Sequence, residues 1–306
     1  MTAATTAHST VLEDRGVVSV SGADAEKFLG GLITNDMSLL DADRRDGAPA
    51  LYAALLSPQG KILFDFLVVR TAEGFLLDTA REKAGDLAKR LSMYKLRAAV
   101  EIRDVSADYA VAAVWGDAPV SIDAIAGAHV LADPRFAPLG LRVLVRVNGA
   151  GDVLPSIGGT SVPPESYHTW RIGLGVPEGG KDFAFGDTFP HEALLDQLHG
   201  VSFTKGCFVG QEVVSRMQHR ATVRKRVVPV IADIPLPAGA LPVLAGEAEI
   251  GRLGSVAGAR GLALLRLDRV AEAQRDGVAL TTGGVAVAVE APPFATFEIG
   301  APHETA

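Results

Sequence analysis

The only cysteine of the chain lies in a short segment with the composition of a reactive loop. Cys207 stands between Gly206 and Gly210, and Lys205 precedes it by two residues. A nearby ammonium group favours the thiolate form of cysteine and would lower the pKa of the thiol. The segment therefore predicts a nucleophilic thiol, and a small buried side chain without a chemical role is the plainer alternative.

A predicted helix follows the cysteine and carries a run of basic residues. Gln211 and Glu212 begin this helix, whose free N–H groups would add positive potential near the sulfur. The first three basic residues would share one helical face if the helix is long enough. The whole run is Arg216, Arg220, Arg224, Lys225 and Arg226. The pattern is consistent with a local anion site and equally with a solvated basic face.

The composition limits what this thiol can do alone. A single cysteine can neither form an internal disulfide nor fill a four-cysteine zinc or iron–sulfur site. The histidines show no zinc spacing, and Asp182 and Asp187 lack the order of a calcium loop. We therefore expect no permanently bound metal. The net charge of −7 argues against nucleic-acid binding over the whole surface.

The length of 306 residues suggests two or three domains. No segment approaches the ~18 consecutive apolar residues that a membrane-spanning helix needs, so no membrane partner is expected. The first ten residues have neither the pattern of a signal peptide nor the arginines of a transit peptide. We therefore expect a cytoplasmic protein with a reduced thiol, acting as a monomer.

The elements that must position the thiol follow an α+β pattern. Val17 to Val20 predicts a strand, and the apolar spacing from Ala25 to Leu32 predicts a helix after it. A hairpin with its turn at 57–60 is followed by a third strand and a second helix. The same order of strands and helices recurs less clearly in the following residues. It includes a short predicted helix at 122–126 and another at 165–173.

The predicted secondary structure changes after Arg226. Short β-rich runs separated by turns with glycine and proline are typical of a small barrel or sandwich. The stretch from Ala193 to Leu198, which follows Glu192, is compatible with a helix. The sequence thus predicts α+β lobes and a small C-terminal β domain.

One segment carries a specific resemblance to a known family. Lys205-Gly206-Cys207-Phe208-Val209-Gly210-Gln211-Glu212 resembles the signature of the YgfZ family, which is written K-G-C-[YF]-x-G-Q-E. Other segments that fit this family are Ser21 to Leu29, Ser57 to Lys61, Tyr94 to Arg97 and Arg171 to Pro177. The YgfZ family is in turn similar to the glycine-cleavage T-protein, a tetrahydrofolate-dependent aminomethyltransferase.

The resemblance implies a three-lobed α+β fold around a central folate channel, with two intertwined ferredoxin-like lobes and a C-terminal β-barrel. The lobes would comprise residues 1–48 with 134–223, residues 49–133, and residues 224–306. The implied role is a tetrahydrofolate-binding accessory protein that assembles or repairs iron–sulfur proteins, including radical-type tRNA-modifying enzymes. Its partners would be folate and iron–sulfur client or assembly proteins.

The resemblance also implies roles for individual residues. Cys207 and Lys205 are expected to do the chemistry, with Cys207 a transient cluster ligand. The rest of the signature loop is Gly206, Phe208, Gly210, Gln211, Glu212 and Arg216. A folate-dependent aminomethyl or C1 transferase is the alternative function. The T-protein carries two adjacent aspartates in its first hairpin, whereas here Phe64 stands beside Asp65, and a phenyl ring cannot exchange a proton.

Six residues are predicted to contact folate, each with an ordinary structural alternative. They are Asp65, Arg97, Tyr167, Trp170, Arg171 and Glu192. The carboxylate of Glu192 could accept two hydrogen bonds from the pterin ring, and the aromatic rings could stack on the ligand. The arginines could pair with the glutamate carboxylates of folate or with acids of the protein itself.

Overall fold

A computed structural model of the chain describes residues 7–41, 49–116, 127–147, 159–219 and 223–299. The chain forms two compact units. The first comprises Met1–Leu56, Leu63–Tyr167 and Leu198–Val209, and the second comprises Ser57–Ile62, His168–Gln197 and Gly210–Ala306. The predicted helix at 122–126 lies outside the described residues. None of the described helices is long and apolar enough to cross a bilayer.

The first unit is built on strands that form two five-stranded sheets. In chain order the strands are β1 (Ala7–Val11), β2 (Arg15–Ser21), β3 (Ala50–Leu56), β4 (Ile62–Thr71), β5 (Gly74–Ala80), β6 (Glu101–Asp104), β7 (Tyr109–Gly116), β8 (Ala128–Ala132), β9 (Leu141–Arg146) and β10 (Thr160–Ser161). One sheet has the order β3-β4-β5-β2-β6, and the other has the order β10-β1-β7-β9-β8. The short β10 pairs in parallel with β1, and β7 pairs antiparallel with both β1 and β9.

Two helices cover the first of these sheets. They are α1 (Ala25–Gly30) and α2 (Arg81–Tyr94). The apolar residues of α2 recur at helical spacing, and Leu87 and Leu91 are fully buried in the core that the sheet shares with both helices. A 3-10 turn, Met37–Leu40, follows α1 and is capped by the side chain of Asp36, which accepts a hydrogen bond from the Ser38 amide.

The sheets group the strands differently from the predicted lobes. β2, from the segment 1–48, lies in the same sheet as β3 to β6, and β7 and β8 lie beside β9 across the predicted boundary at residue 133. The repeated order of elements in the sequence indicates strands and helices, but it does not specify which strands pair.

The second unit contains a closed barrel of strands in the order β11-β14-β13-β12-β15-β16. The strands are β11 (Lys225–Ile231), β12 (Pro242–Ala245), β13 (Ala248–Ala257), β14 (Arg260–Arg266), β15 (Leu280–Thr282) and β16 (Val285–Val289). Three further helices are α3 (Pro164–Gly173), which runs from the first unit into the second, α4 (Gln211–His219) and α5 (Leu267–Arg275). The predicted α+β class with a C-terminal β-barrel is confirmed.

The segment that follows Glu192 is not helical, so the alternative that Glu192 begins a helix over Ala193 to Leu198 does not apply. Residues 191–199 form successive turns, and the backbone is left-handed at Leu194 (φ +63°) and His199 (φ +57°). A left-handed residue cannot continue a right-handed helix, so each of these positions interrupts the predicted pattern.

Candidate functional site

The loop that carries Cys207 is anchored to the segment after helix α1 by two buried polar residues. The Thr34 hydroxyl donates to the Gly200 carbonyl at 2.6 Å, and the Asn35 amide nitrogen donates to the His199 carbonyl at 2.6 Å. The Ser202 amide donates in return to the Thr34 carbonyl at 3.0 Å. These contacts fix the beginning of the loop within the first unit.

Lys205 ties the same loop to the same segment through its ammonium group. Its Nζ lies 2.8 Å from each of three main-chain carbonyl oxygens, those of Gly30, Ile33 and Asn35. An ammonium group has three protons to donate, so these contacts use its full capacity. The geometry therefore gives Lys205 a positioning role, and its predicted chemical role beside the thiol stays a prediction.

The environment of Lys205 also changes its acidity. Burial lowers its pKa from 10.5 to about 8, and the negative charge of Asp36 opposes this shift only in part. The three carbonyl oxygens accept hydrogen bonds from the protonated form of Lys205. Burial of this side chain disfavours its positive charge. The group that donates to the three carbonyls therefore titrates within a few pH units of neutrality.

Cys207 itself is exposed, which contradicts the plainer reading of a buried, inert thiol. The next residue, Phe208, is buried, and its ring centroid lies 5.3 Å from the Lys205 Nζ. Val209 packs against the core of the first unit. The cysteine therefore sits between two anchored points, Lys205 on one side and Phe208 with Val209 on the other.

The remainder of the signature segment begins helix α4. Gly210 has a φ of +80°, a left-handed conformation that glycine adopts without strain, and α4 starts at the next residue, Gln211. Glu212 and Arg216 form an i,i+4 ion pair of 3.1 Å on the exposed side of this helix. Such an exposed pair contributes little to stability.

The first three arginines of the basic run would share a helical face only if the helix were long enough, and it does not reach Arg224. Helix α4 ends at His219, so Arg224 does not belong to it, and Arg220 lies outside the described residues. Arg226 is buried in β11, where it donates to both carboxylate oxygens of Asp196 at 2.9 Å. The described arginines therefore have separate structural environments.

Three of the predicted folate contacts belong to the first unit. Asp65 is buried and accepts a hydrogen bond of 2.9 Å from the Tyr52 hydroxyl. Burial and the Asp65 carboxylate raise the pKa of Tyr52 well above its usual value, so Tyr52 stays a donor. Tyr167 is also buried, with its hydroxyl accepting from Arg142 at 3.0 Å, whereas Arg97 is exposed.

The other three belong to the second unit. Arg171 is 1% exposed, and it donates to the Val176 carbonyl, to Asp182 at 2.7 Å and to Ser255 at 2.8 Å. It also pairs with Glu178 at 3.0 Å. These contacts make Arg171 an internal anchor, because its guanidinium is directed at the protein itself.

Glu192 and Trp170 are more exposed to solvent than Arg171. Trp170 is half-buried on α3, and Glu192 is half-buried with one carboxylate oxygen, Oε2, accepting from the Phe189 amide at 2.8 Å. Burial raises the pKa of Glu192 above its usual value. This carboxylate keeps acceptor capacity in a partly dry environment, where charge-assisted hydrogen bonds are strongest.

Thr34 and Asn35 were not among the predicted site residues. Their polar side chains follow the apolar pair Leu32 and Ile33 directly, at the end of α1. A buried Thr-Asn pair after a short helix is a signal that such side chains satisfy main-chain groups of another segment. The sequence does not reveal that this segment is the cysteine loop, 164 to 166 residues away.

Fold and site together define a T-protein-like protein that presents one accessible thiol. The GCVT N-terminal domain model matches residues 11–131, and the model for the CAF17 C-terminal beta-barrel domain matches residues 224–297. The crystal structure of the glycine cleavage system aminomethyltransferase T from Bartonella henselae has a TM-score of 0.74, with 18% identity, covering 95% of this chain and 86% of that one. This likeness confirms the GcvT-like fold.

Sequence similarity to known proteins identifies the family within this class. The human iron–sulfur cluster assembly factor IBA57 is 34% identical over 282 residues, which cover 85% of this chain and 77% of the human protein. The homologue from Mycosarcoma maydis is 36% identical over 235 residues, 73% of this chain and 58% of that protein. The chain belongs to the IBA57 family of iron–sulfur cluster assembly factors. The finer YgfZ assignment stays a prediction.

The comparisons overturn the predicted location. The human, mouse and Mycosarcoma maydis relatives are all named mitochondrial proteins, which points to mitochondria and makes the cytoplasmic prediction wrong. That prediction was based on the lack of a recognisable leader pattern, and such a lack does not determine the compartment in which a protein folds and works.

Proposed function

We propose that this chain assists the assembly or repair of iron–sulfur proteins by using the Cys207 thiolate as a transient cluster ligand. The observation that carries the proposal is an exposed thiol on a loop held at both sides, by Lys205 and by Phe208. Membership of the IBA57 family supports the same role. A fixed and accessible thiol can meet a partner without first rearranging its own loop.

One thiolate cannot hold a cluster alone, so the remaining ligands come from the partner or client protein. Cys207 loses its proton to solvent as its sulfur binds iron. A thiolate of the client then replaces it on the iron, and Cys207 takes up a proton again. This is ligand exchange without a change in oxidation state. The proposed clients include radical-type tRNA-modifying enzymes, as the YgfZ resemblance implies.

The second part of the proposal is that tetrahydrofolate is a ligand of this protein. Support comes from the T-protein-like fold, which is shared with a folate-dependent class, and from the chemistry of Glu192. Its half-buried carboxylate suits the amino and ring N–H groups of a pterin. Trp170 is the aromatic contact that we propose beside it in the second unit. Arg171 and Tyr167 fit less well, because other residues of the chain occupy their polar groups.

A cluster-transfer assay tests the role of the thiol. The full chain is incubated anaerobically with ferrous iron, sulfide and an apo iron–sulfur enzyme, and the recovery of enzyme activity is followed. We expect Cys207→Ser to recover activity at the rate of the reaction without added protein. Thr204→Ala, in the same loop, is expected to match the unaltered protein. Equal rates for Cys207→Ser and the unaltered protein would remove the thiol from the mechanism.

Folate binding is tested by titrating the full chain with tetrahydrofolate while its tryptophan fluorescence is recorded. Glu192→Gln replaces a charged acceptor with a neutral amide, so we expect affinity to fall about tenfold or more. Glu249→Gln, at an exposed position of the barrel, is the matched control and is expected to leave affinity unchanged. Absence of binding would refute the folate part of the proposal and leave the thiol part standing.

A further inference from the structure

The end of helix α2 presents two apolar side chains to solvent. Met93 is 65% exposed and Leu96 is 90% exposed, whereas Leu91 is fully buried. The neighbouring Tyr94 and Ala98 pack against the core of the first unit. The backbone is therefore held by the core at the same place where Met93 and Leu96 protrude.

The backbone at Leu96 is in an uncommon conformation. Its φ is +44°, in the left-handed region that commonly ends a helix and that glycine occupies with least strain. The turn is fixed by the Ala98 amide, which donates to the Lys95 carbonyl at 2.8 Å, and by the Ala99 amide, which donates to Asp24 at 2.7 Å. A leucine is thus kept at a position where its side chain makes little contact with the protein.

Four basic residues lie within four positions of these two apolar residues in the sequence. They are Lys89, Arg90, Lys95 and Arg97, and none of them forms an ion pair within the described part of the chain. Lys89 and Arg90 lie four and three residues before Met93 and so share its side of the helix. Four unpaired cations stand out in a chain whose net charge is −7.

We propose that this surface, the α2 tip (Lys89, Arg90, Met93, Lys95, Leu96 and Arg97), docks on an anionic lipid bilayer. Cations close to an anionic membrane surface are attracted by its negative potential. Apolar side chains on the same tip can enter the boundary between head groups and acyl chains. This is a surface contact and is distinct from a spanning helix. It does not depend on the proposed role of Cys207.

Charge and area argue against other occupants of the α2 tip. A second copy of the chain would bring two sets of unpaired cations together, and like charges disfavour such an interface. A stable protein interface buries about 800 Å² on each partner, which two protruding side chains cannot supply. Single-stranded nucleic acid requires exposed aromatic rings for stacking, whereas Tyr94 packs against the core.

Sedimentation with lipid vesicles tests the proposal on the full chain. One vesicle set is equimolar phosphatidylcholine and phosphatidylglycerol, and the other is phosphatidylcholine alone. We expect binding to the anionic set only, and weaker binding as salt is added. Lys95→Glu combined with Arg97→Glu is expected to lower the partition coefficient more than tenfold. Arg275→Glu, an exposed charge change on the barrel helix α5, is the control and is expected to have no effect.

Leu96→Gly separates binding from folding. Glycine relieves the left-handed backbone, so we expect this variant to be at least as stable as the unaltered protein while its vesicle binding falls several-fold. The proposal is overturned if the chain binds anionic vesicles no better than neutral ones, or if Leu96→Gly binds them fully. The first of these results would instead point to an acidic protein as the partner of the α2 tip.

Discussion

Lys205 places a positive charge among three main-chain carbonyls, and this contact links the cysteine loop to the segment after helix α1. Hydrogen bonds to a charged group contribute about 1.5–3 kcal/mol each, but desolvation of the ammonium group offsets much of that gain. The lowered pKa of Lys205 reflects this desolvation. Lys205 therefore holds the loop that carries the thiol.

The titration of Lys205 predicts a pH dependence of stability. Its pKa is about 8 in the folded chain and near 10.5 when solvated, so between these values the unfolded chain binds more protons. Stability from this residue therefore rises with pH across that window, and the cost of burying the charge is fully present below about pH 8.

Urea unfolding of the unaltered protein and of Lys205→Met measures this effect. We expect the difference in unfolding free energy between the two proteins to shift in favour of the unaltered protein as pH rises from 8 to 10. Lys95→Met, at an exposed position, is the control for loss of a surface lysine. Parallel pH curves for Lys205→Met and the unaltered protein would show that Lys205 titrates as in solvent.

At the scale of elements, the cysteine loop depends on residues that lie far from it in sequence. Thr34 is fully buried, donates to the Gly200 carbonyl and accepts from the Ala54 amide at 2.8 Å. One hydroxyl thus joins the loop, strand β3 and the segment after α1. Because the loop itself lacks a helix or strand, such side-chain contacts take the place of regular backbone pairing.

Thr34→Val tests this connection. Valine keeps the shape of threonine but leaves a buried carbonyl and a buried amide without partners, so we expect stability to fall by about 2–4 kcal/mol. Hydrogen exchange of the amides in the cysteine loop is expected to accelerate as well. Thr34→Ser keeps the hydroxyl and is expected to retain protection of the loop. Unchanged exchange in Thr34→Val would mean that the loop is held by other contacts.

The regular elements were largely predictable because their signals are local. The apolar spacing in α2 and the hairpin turn between β3 and β4 require only neighbouring residues, and both are present in the fold. Short elements of weak pattern, such as β8 and β12, were missed. The turns at 191–199 could not be told from a helix, because left-handed backbone at Leu194 leaves no trace in apolar periodicity.

For the whole molecule, the sequence predicted the class of fold but not how the strands share sheets. Strand β2 pairs with β5 and β6, in the same sheet as β3, although a helix and a long connection separate β2 from β3 in the chain. The position of Lys205 depends on its hydrogen bonds to Gly30, Ile33 and Asn35, which no local pattern specifies. Relatives then identified the family and corrected the compartment.

We propose that the anchored and exposed Cys207 is the residue on which the activity of this protein depends. The most direct test is complementation of a host whose own gene for a relative of this chain has been deleted. Activity of an iron–sulfur enzyme is measured in extracts with matched amounts of the introduced protein. We predict that the unaltered chain restores this activity and that Cys207→Ser does not. Full restoration by Cys207→Ser would show that the thiol is dispensable.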